Sequence, residues 1–130
     1  MSDPRGVALA VDRLGEDVRL LSMEYTKGLL RLSLDIEGNA CTLSFDKVLG
    51  VRMLDEGDLM EFWAEFSLSN GWIFQLSEGG WLELESQRSG FMASNHLAPR
   101  EFLVVTRHEC VSILCTQNQP DIVWQSDTPQ

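Results

Sequence analysis

The sequence predicts a mostly β protein: an antiparallel meander of about eight strands with a short N-terminal helix, hence α+β if the chain ends are more helical. Three observations predict it. From Val18 onward apolar residues recur with a period of two. Turn signals containing glycine, asparagine and serine interrupt that alternation at short intervals. The chain has 130 residues, 44% hydrophobic and 23% charged, which is the size and balance of a single domain with one core. Residues 1–17 are expected to form an N-terminal segment, 18–124 the β-rich core and 125–130 a polar tail.

Residues 3–14 fit a helix: Asp3 can cap it, Pro4 suits its first position and Gly15 its end, with Val7, Val11 and Leu14 on one face. The run Val7-Ala8-Leu9-Ala10-Val11 also fits a strand. Strands follow over 18–25, 29–36 and 40–45, separated by Thr26-Lys27-Gly28 and Glu37-Gly38-Asn39, both turn chemistry. In the second strand Leu30, Leu32, Leu34 and Ile36 share a face, and Arg31, Ser33 and Asp35 take the other. Residues 48–54 continue the meander. Residues 59–69 carry two patterns. Leu59, Phe62, Trp63 and Phe66 make a helical stripe, but Met60, Phe62, Ala64, Phe66 and Leu68 alternate over a longer span and run into Asn70-Gly71, a strong hairpin signal. The expectation is therefore a three-stranded meander over 59–86 with turns at Asn70-Gly71 and Gly79-Gly80. One of its faces would carry Trp63, Trp72, Phe74 and Leu76 beside Glu61 and Glu65, and its last strand would align Trp81, Glu83 and Glu85. Residues 87–100 read as an irregular loop. Residues 101–106 read as a strand buried on both faces, turning at Arg107-His108-Glu109 into a strand over 110–115. Pro120 precedes a short last strand at 122–124.

The net charge of −10 is concentrated in one place. Residues 55–85 hold eight acids (Asp55, Glu56, Asp58, Glu61, Glu65, Glu78, Glu83 and Glu85) and no Lys or Arg, together with three of the four tryptophans. A field of this sign repels nucleic-acid phosphates and anionic lipid, and speeds encounter with a basic protein. No apolar run approaches the length of a membrane-spanning helix. The start, Met1-Ser2-Asp3-Pro4-Arg5-Gly6, has no export-signal pattern, so the expected compartment is the cytoplasm.

Catalytic signals are weak. The glycine-rich phosphate loops, the zinc-protease motif and the nucleophile elbow are absent from the sequence. His96 and His108 neighbour turn residues, where imidazoles are usually solvated. Glu83 and Glu85 neighbour one another on one strand rather than facing across a cleft. His108, Cys110 and Cys115 lack the paired spacing of a zinc site, and an odd count of three cysteines without an export signal reads as reduced, packed thiols. No catalytic residue, metal or cofactor is expected.

The stretch from Tyr25 to Phe45, the Gly71-Trp72-Ile73-Phe74 and Gly79-Gly80-Trp81 segments, and the closing Glu101-Phe102-Leu103-Val104-Val105, Glu109-Cys110-Val111-Ser112-Ile113-Leu114 and Pro120 pattern resemble small acidic bacterial immunity-type proteins. Such proteins are encoded beside secreted toxins and block them by binding, so the resemblance implies a stoichiometric inhibitor without catalysis of its own. The charge and aromatic clustering lead to the same expectation: a binding module that occludes a basic, nuclease-like partner, with Trp63, Trp72 and Trp81 as anchors and Glu61, Glu65, Glu83 and Glu85 as steering charges. The alternatives are a pocket protein for an apolar ligand and a homo-oligomer joined by a strand edge or an aromatic face.

Overall fold

The structure, a computed structural model, describes residues 5–9, 11, 15, 17–55, 71–78, 80–82, 99–117 and 119–125. Among these residues the chain forms nine strands: β1 (Arg5–Ala8), β2 (Val18–Thr26), β3 (Leu29–Ile36), β4 (Asn39–Phe45), β5 (Val48–Asp55), β6 (Ile73–Glu78), β7 (Arg100–Val105), β8 (Glu109–Cys115) and β9 (Asp121–Trp124). Every pairing is antiparallel. They build a five-stranded sheet in the order β1-β6-β7-β8-β5 and a four-stranded sheet in the order β2-β3-β4-β9.

The alternation in β3 and β4 sets the packing. Leu30, Leu32, Leu34 and Ile36 are buried, as are Cys41, Leu43 and Phe45 on β4, while Arg31 is exposed and Ser33 and Asp35 are half-buried. This inner face meets Phe102, Val104, Val111, Ile113 and Cys115 from the five-stranded sheet in a single apolar cluster. The Phe45 and Phe102 rings, 5.5 Å apart and tilted, join the two layers. Each fully buried aliphatic side chain contributes about 1.5–3 kcal/mol, so this seam is the main source of stability. Residues 101–106 are buried throughout, as expected for the central strand of a sheet covered on both faces. Two hairpins close as two-residue turns with both central residues at positive φ: Lys27 at 49° with Gly28 at 86°, and Glu37 at 54° with Gly38 at 87°.

Two expectations are corrected. Residues 5–8 are not helical; they form β1, an edge strand paired with β6. The tertiary edge offered by β6 outweighs the local capping signals. The meander over 59–86 is also not the arrangement of its described part. Both edges of β6 are taken, one by β1 and the other by β7, and Trp81 and Leu82 adopt helical backbone in place of a third strand. The predicted strand at 59–69 lies outside the described residues. Among the described residues no helix is long and apolar enough to cross a membrane.

Candidate functional site

The sandwich has two lips, where the edge strand of one sheet faces an edge region of the other, and they differ. At one lip Trp72, fully buried just before β6, meets Trp124 of β9 edge to face with ring centroids 6.4 Å apart. This pair closes the sandwich. Trp72 is thus a core residue and not the surface anchor expected from its place among acids: β6 is interior to its sheet, so the residue entering it faces packed layers on both sides.

The opposite lip is open. Met23 and Tyr25 of β2 stand opposite Leu32 and Leu30 of β3 and so belong to the inner face of their sheet, yet Tyr25 is 58% exposed and Met23 is 41% exposed. Across from them β5 contributes Val48, Leu49, Gly50 and Val51, and with Leu30 these residues line an apolar groove of about 310 Å³. The groove mouth is anchored where the Val48 amide donates to the Gly28 carbonyl across 2.9 Å. Leu21 (61% exposed), Leu49 and Met53 extend the apolar surface along both strands. Two irregularities shape it. β2 bulges between Leu20 and Ser22, and β5 shifts register between Val48 and Gly50, so the two edge strands do not zip together. Exposed tyrosine and methionine at such a rim are typical contact residues.

A second polar feature lies on the other face of the five-stranded sheet. Glu101, almost fully buried, accepts hydrogen bonds from the Trp81 amide at 3.0 Å (Oε2) and the Leu82 amide at 2.9 Å (Oε1). Burial pushes its carboxyl up from the ordinary range, while the Leu82 and Trp81 amides and the Arg52 charge pull it back. Gly80 is required here, because a Cβ would stand 2.6 Å from Glu101 Oε1 and 2.5 Å from Leu76 Cδ2. The Arg52 guanidinium lies 5.3 Å from the centre of the Trp81 ring, over the indole of a half-buried side chain. Arg52 Nε and Ser112 Oγ, on paired residues of β5 and β8, are buried without a hydrogen-bond partner among the described residues.

No protein-family model, curated protein or solved structure matches this chain. The geometry therefore stands by itself. Of the residues expected to bind a partner, Trp72 is core and Trp81 is half-buried beneath Arg52, whereas Glu61, Trp63, Glu65, Glu83 and Glu85 lie outside the described residues. All three cysteines are buried, with the Cys41 thiol pushed up to about 11 by burial, so they are packing residues. The lip residues Leu21, Met23 and Tyr25 escaped the sequence reading because their alternation is that of any half-buried strand. Only the neighbouring sheet's failure to cover them makes them a surface. Glu101 did carry a signal: a lone carboxylate heading a strand read as buried on both faces.

Proposed function

We propose that this protein is a non-catalytic binding module that occludes a basic protein partner, acting as an immunity-type inhibitor of a nuclease-like toxin. The observation that carries the reading is the open lip, where Leu21, Met23, Tyr25, Leu49 and Met53 present exposed apolar side chains between two edge strands. Isolated exposed apolar residues are common, but Met23, Tyr25 and Leu49 are exposed and line one groove together, as contact residues do. The net charge of −10, concentrated in residues 55–85, supplies the selectivity, since a toxin that handles phosphates has a cationic cleft. Steering and anchoring then belong to different residues. The acids set the association rate and the lip sets the dissociation rate.

The test is co-expression with the product of the adjacent gene, followed by binding kinetics and rescue of growth. Binding is expected to weaken as salt rises, and joint replacement of Glu61, Glu65 and Glu83 by Lys is expected to slow association. Tyr25→Ala is expected to leave association unchanged and to speed dissociation by roughly tenfold or more. Full protection by the triple lysine variant would remove steering from the account. Unchanged dissociation in Tyr25→Ala would remove the lip.

The groove also favours a second reading, a site for a small apolar ligand, since about 310 Å³ falls in the range of small-molecule sites. A hydrocarbon-chain probe that shifts the Met23 methyl and Tyr25 ring signals at saturable, micromolar concentration would support it. An absence of shifts up to the probe's solubility limit would exclude it.

A further inference from the structure

We infer that the groove between β2 and β5 takes a single-chain anionic amphiphile, a medium-chain carboxylate, with its hydrocarbon along Leu30, Val48 and Val51 and its headgroup between Lys27 and Lys47. The inference rests on the small-ligand reading of the groove and names the class of ligand. Met23, Tyr25, Leu30, Val48, Leu49 and Val51 offer hydrocarbon, thioether and ring surface and no charged side chain, with buried Leu30 as the floor. Walls of this kind gain by covering a chain, and they leave a polar headgroup to find its partner at one end. A volume of about 310 Å³ stands at the lower end of the range for small-molecule sites. It suits one chain rather than the two of a membrane lipid.

The groove end supplies the charge. There the Val48 amide donates to the Gly28 carbonyl, and Lys27 and Lys47 are the residues immediately before Gly28 and Val48. Two exposed lysines on flexible stems therefore leave the main chain beside one hydrogen bond, next to the Val48 wall of the groove. Neither ammonium is ion-paired among the described residues, whereas the Arg19, Arg31 and Arg107 guanidiniums are. Asp46, the acid beside Lys47, directs its Oδ1 to the Lys47 amide at 2.9 Å, and its own amide donates to Gln117 Oε1 at 2.7 Å. Backbone geometry does not call for lysine at these positions. Lys27 and Lys47 hold left-handed φ values of 49° and 54°, a region that asparagine and glycine enter more readily. In the turn at the other end of β3 the matching residue is Glu37, also at 54°. A turn of this kind thus accepts an acid, yet both turns at the groove end carry a base. A carboxylate there meets two cations, and a cationic headgroup meets two like charges.

Three probes that share one chain and differ in headgroup test this on the full chain alone: decanoate, decanol and decyltrimethylammonium, each below its micelle or solubility limit. Binding is read from the Met23 methyl and Tyr25 ring signals. Decanoate is expected to bind roughly fivefold more tightly than decanol at low ionic strength, with decyltrimethylammonium the weakest of the three. The advantage of decanoate should shrink as salt rises, because both lysines are exposed. Joint replacement Lys27→Asn and Lys47→Asn should abolish that advantage and leave the decanol affinity unchanged. Asparagine tolerates the left-handed φ of both positions, so the variant should keep its thermal transition, which is measured alongside. Decanoate binding no tighter than decanol, or an advantage that survives in the double variant, would overturn the headgroup site while the small-ligand reading stands. Shifts from none of the three probes would overturn both.

Discussion

Glu101 shows how one side chain answers to two environments. Its carboxylate sits on the central strand of the larger sheet, where burial favours the neutral acid, while two amides and a nearby guanidinium favour the anion. Burial prevails, so the group titrates above its ordinary value of 4.5 in the folded protein. The sign of its contribution follows. Stability from this site is fully present below about pH 4.5, the unfolded value, and is lost as pH rises through the raised folded value. Glu101→Gln should therefore flatten the fall of unfolding free energy as pH rises above about 4.5. Denaturant unfolding at several pH values would measure this, and a variant with the wild-type slope would show that Glu101 does not set it. The identity of this residue was legible in the sequence, as a carboxylate in an otherwise apolar run. Its partners were not, because the Trp81 and Leu82 amides are aimed at it by helical backbone at residues 81 and 82, where the alternation predicts a strand.

At the scale of elements, the β2–β3–β4 hairpins were the most legible part of the chain. Strand β3 spans the predicted residues, and its apolar face is the buried one, because a one-residue slip would turn four large side chains to solvent. Turn chemistry set the register. Gly28 at φ 86° has open space around it, so its value is purely conformational. Gly28→Ala should cost about 1–2 kcal/mol by forcing a Cβ into the left-handed region. Lys27→Asn should recover a few tenths of a kcal/mol, since Asn tolerates the 49° φ that Lys27 already adopts. Thermal or urea unfolding checks both, and an unchanged Gly28→Ala midpoint would mean that the turn relaxes to another type. The region around β6 was poorly legible for the converse reason. Asn70-Gly71 and Gly79-Gly80 are strong local hairpin signals, but β6 finds its neighbours in β1 and β7, far away in the chain. Local chemistry says that the chain turns, not which strand lies alongside afterwards.

For the whole molecule, topology decides what the two sheets share. Neighbouring strands β2, β3 and β4 are consecutive in the chain, as are β7 and β8, whereas β1 with β6, β5 with β8 and β4 with β9 join remote segments. The smaller sheet ends on β2 from the first hairpin and on β9 from a distant connection, while both ends of the larger sheet, β1 and β5, are joined to it by distant connections. The pairing of β9 with β4 has a consequence for how the protein is made. The Gln125 side chain reaches Thr42 across 83 positions of sequence, and the Gln125 amide closes the ladder on the Ala40 carbonyl. On the ribosome the first three hairpin strands emerge together and can zip at once, but the outer edge of β4 waits for Asp121–Trp124. Until then Trp72 has no Trp124 to close against, and the inner face of the smaller sheet lacks its last strand. Slow refolding dominated by non-local contacts is expected. A chain ending at Pro120 should show its native hairpins by amide exchange yet collect in aggregates, and soluble, cooperatively folded material from that truncation would contradict it. Strand β9, which follows the other described strands in the chain, thus acts as a kinetic checkpoint, licensing hairpins that are already assembled.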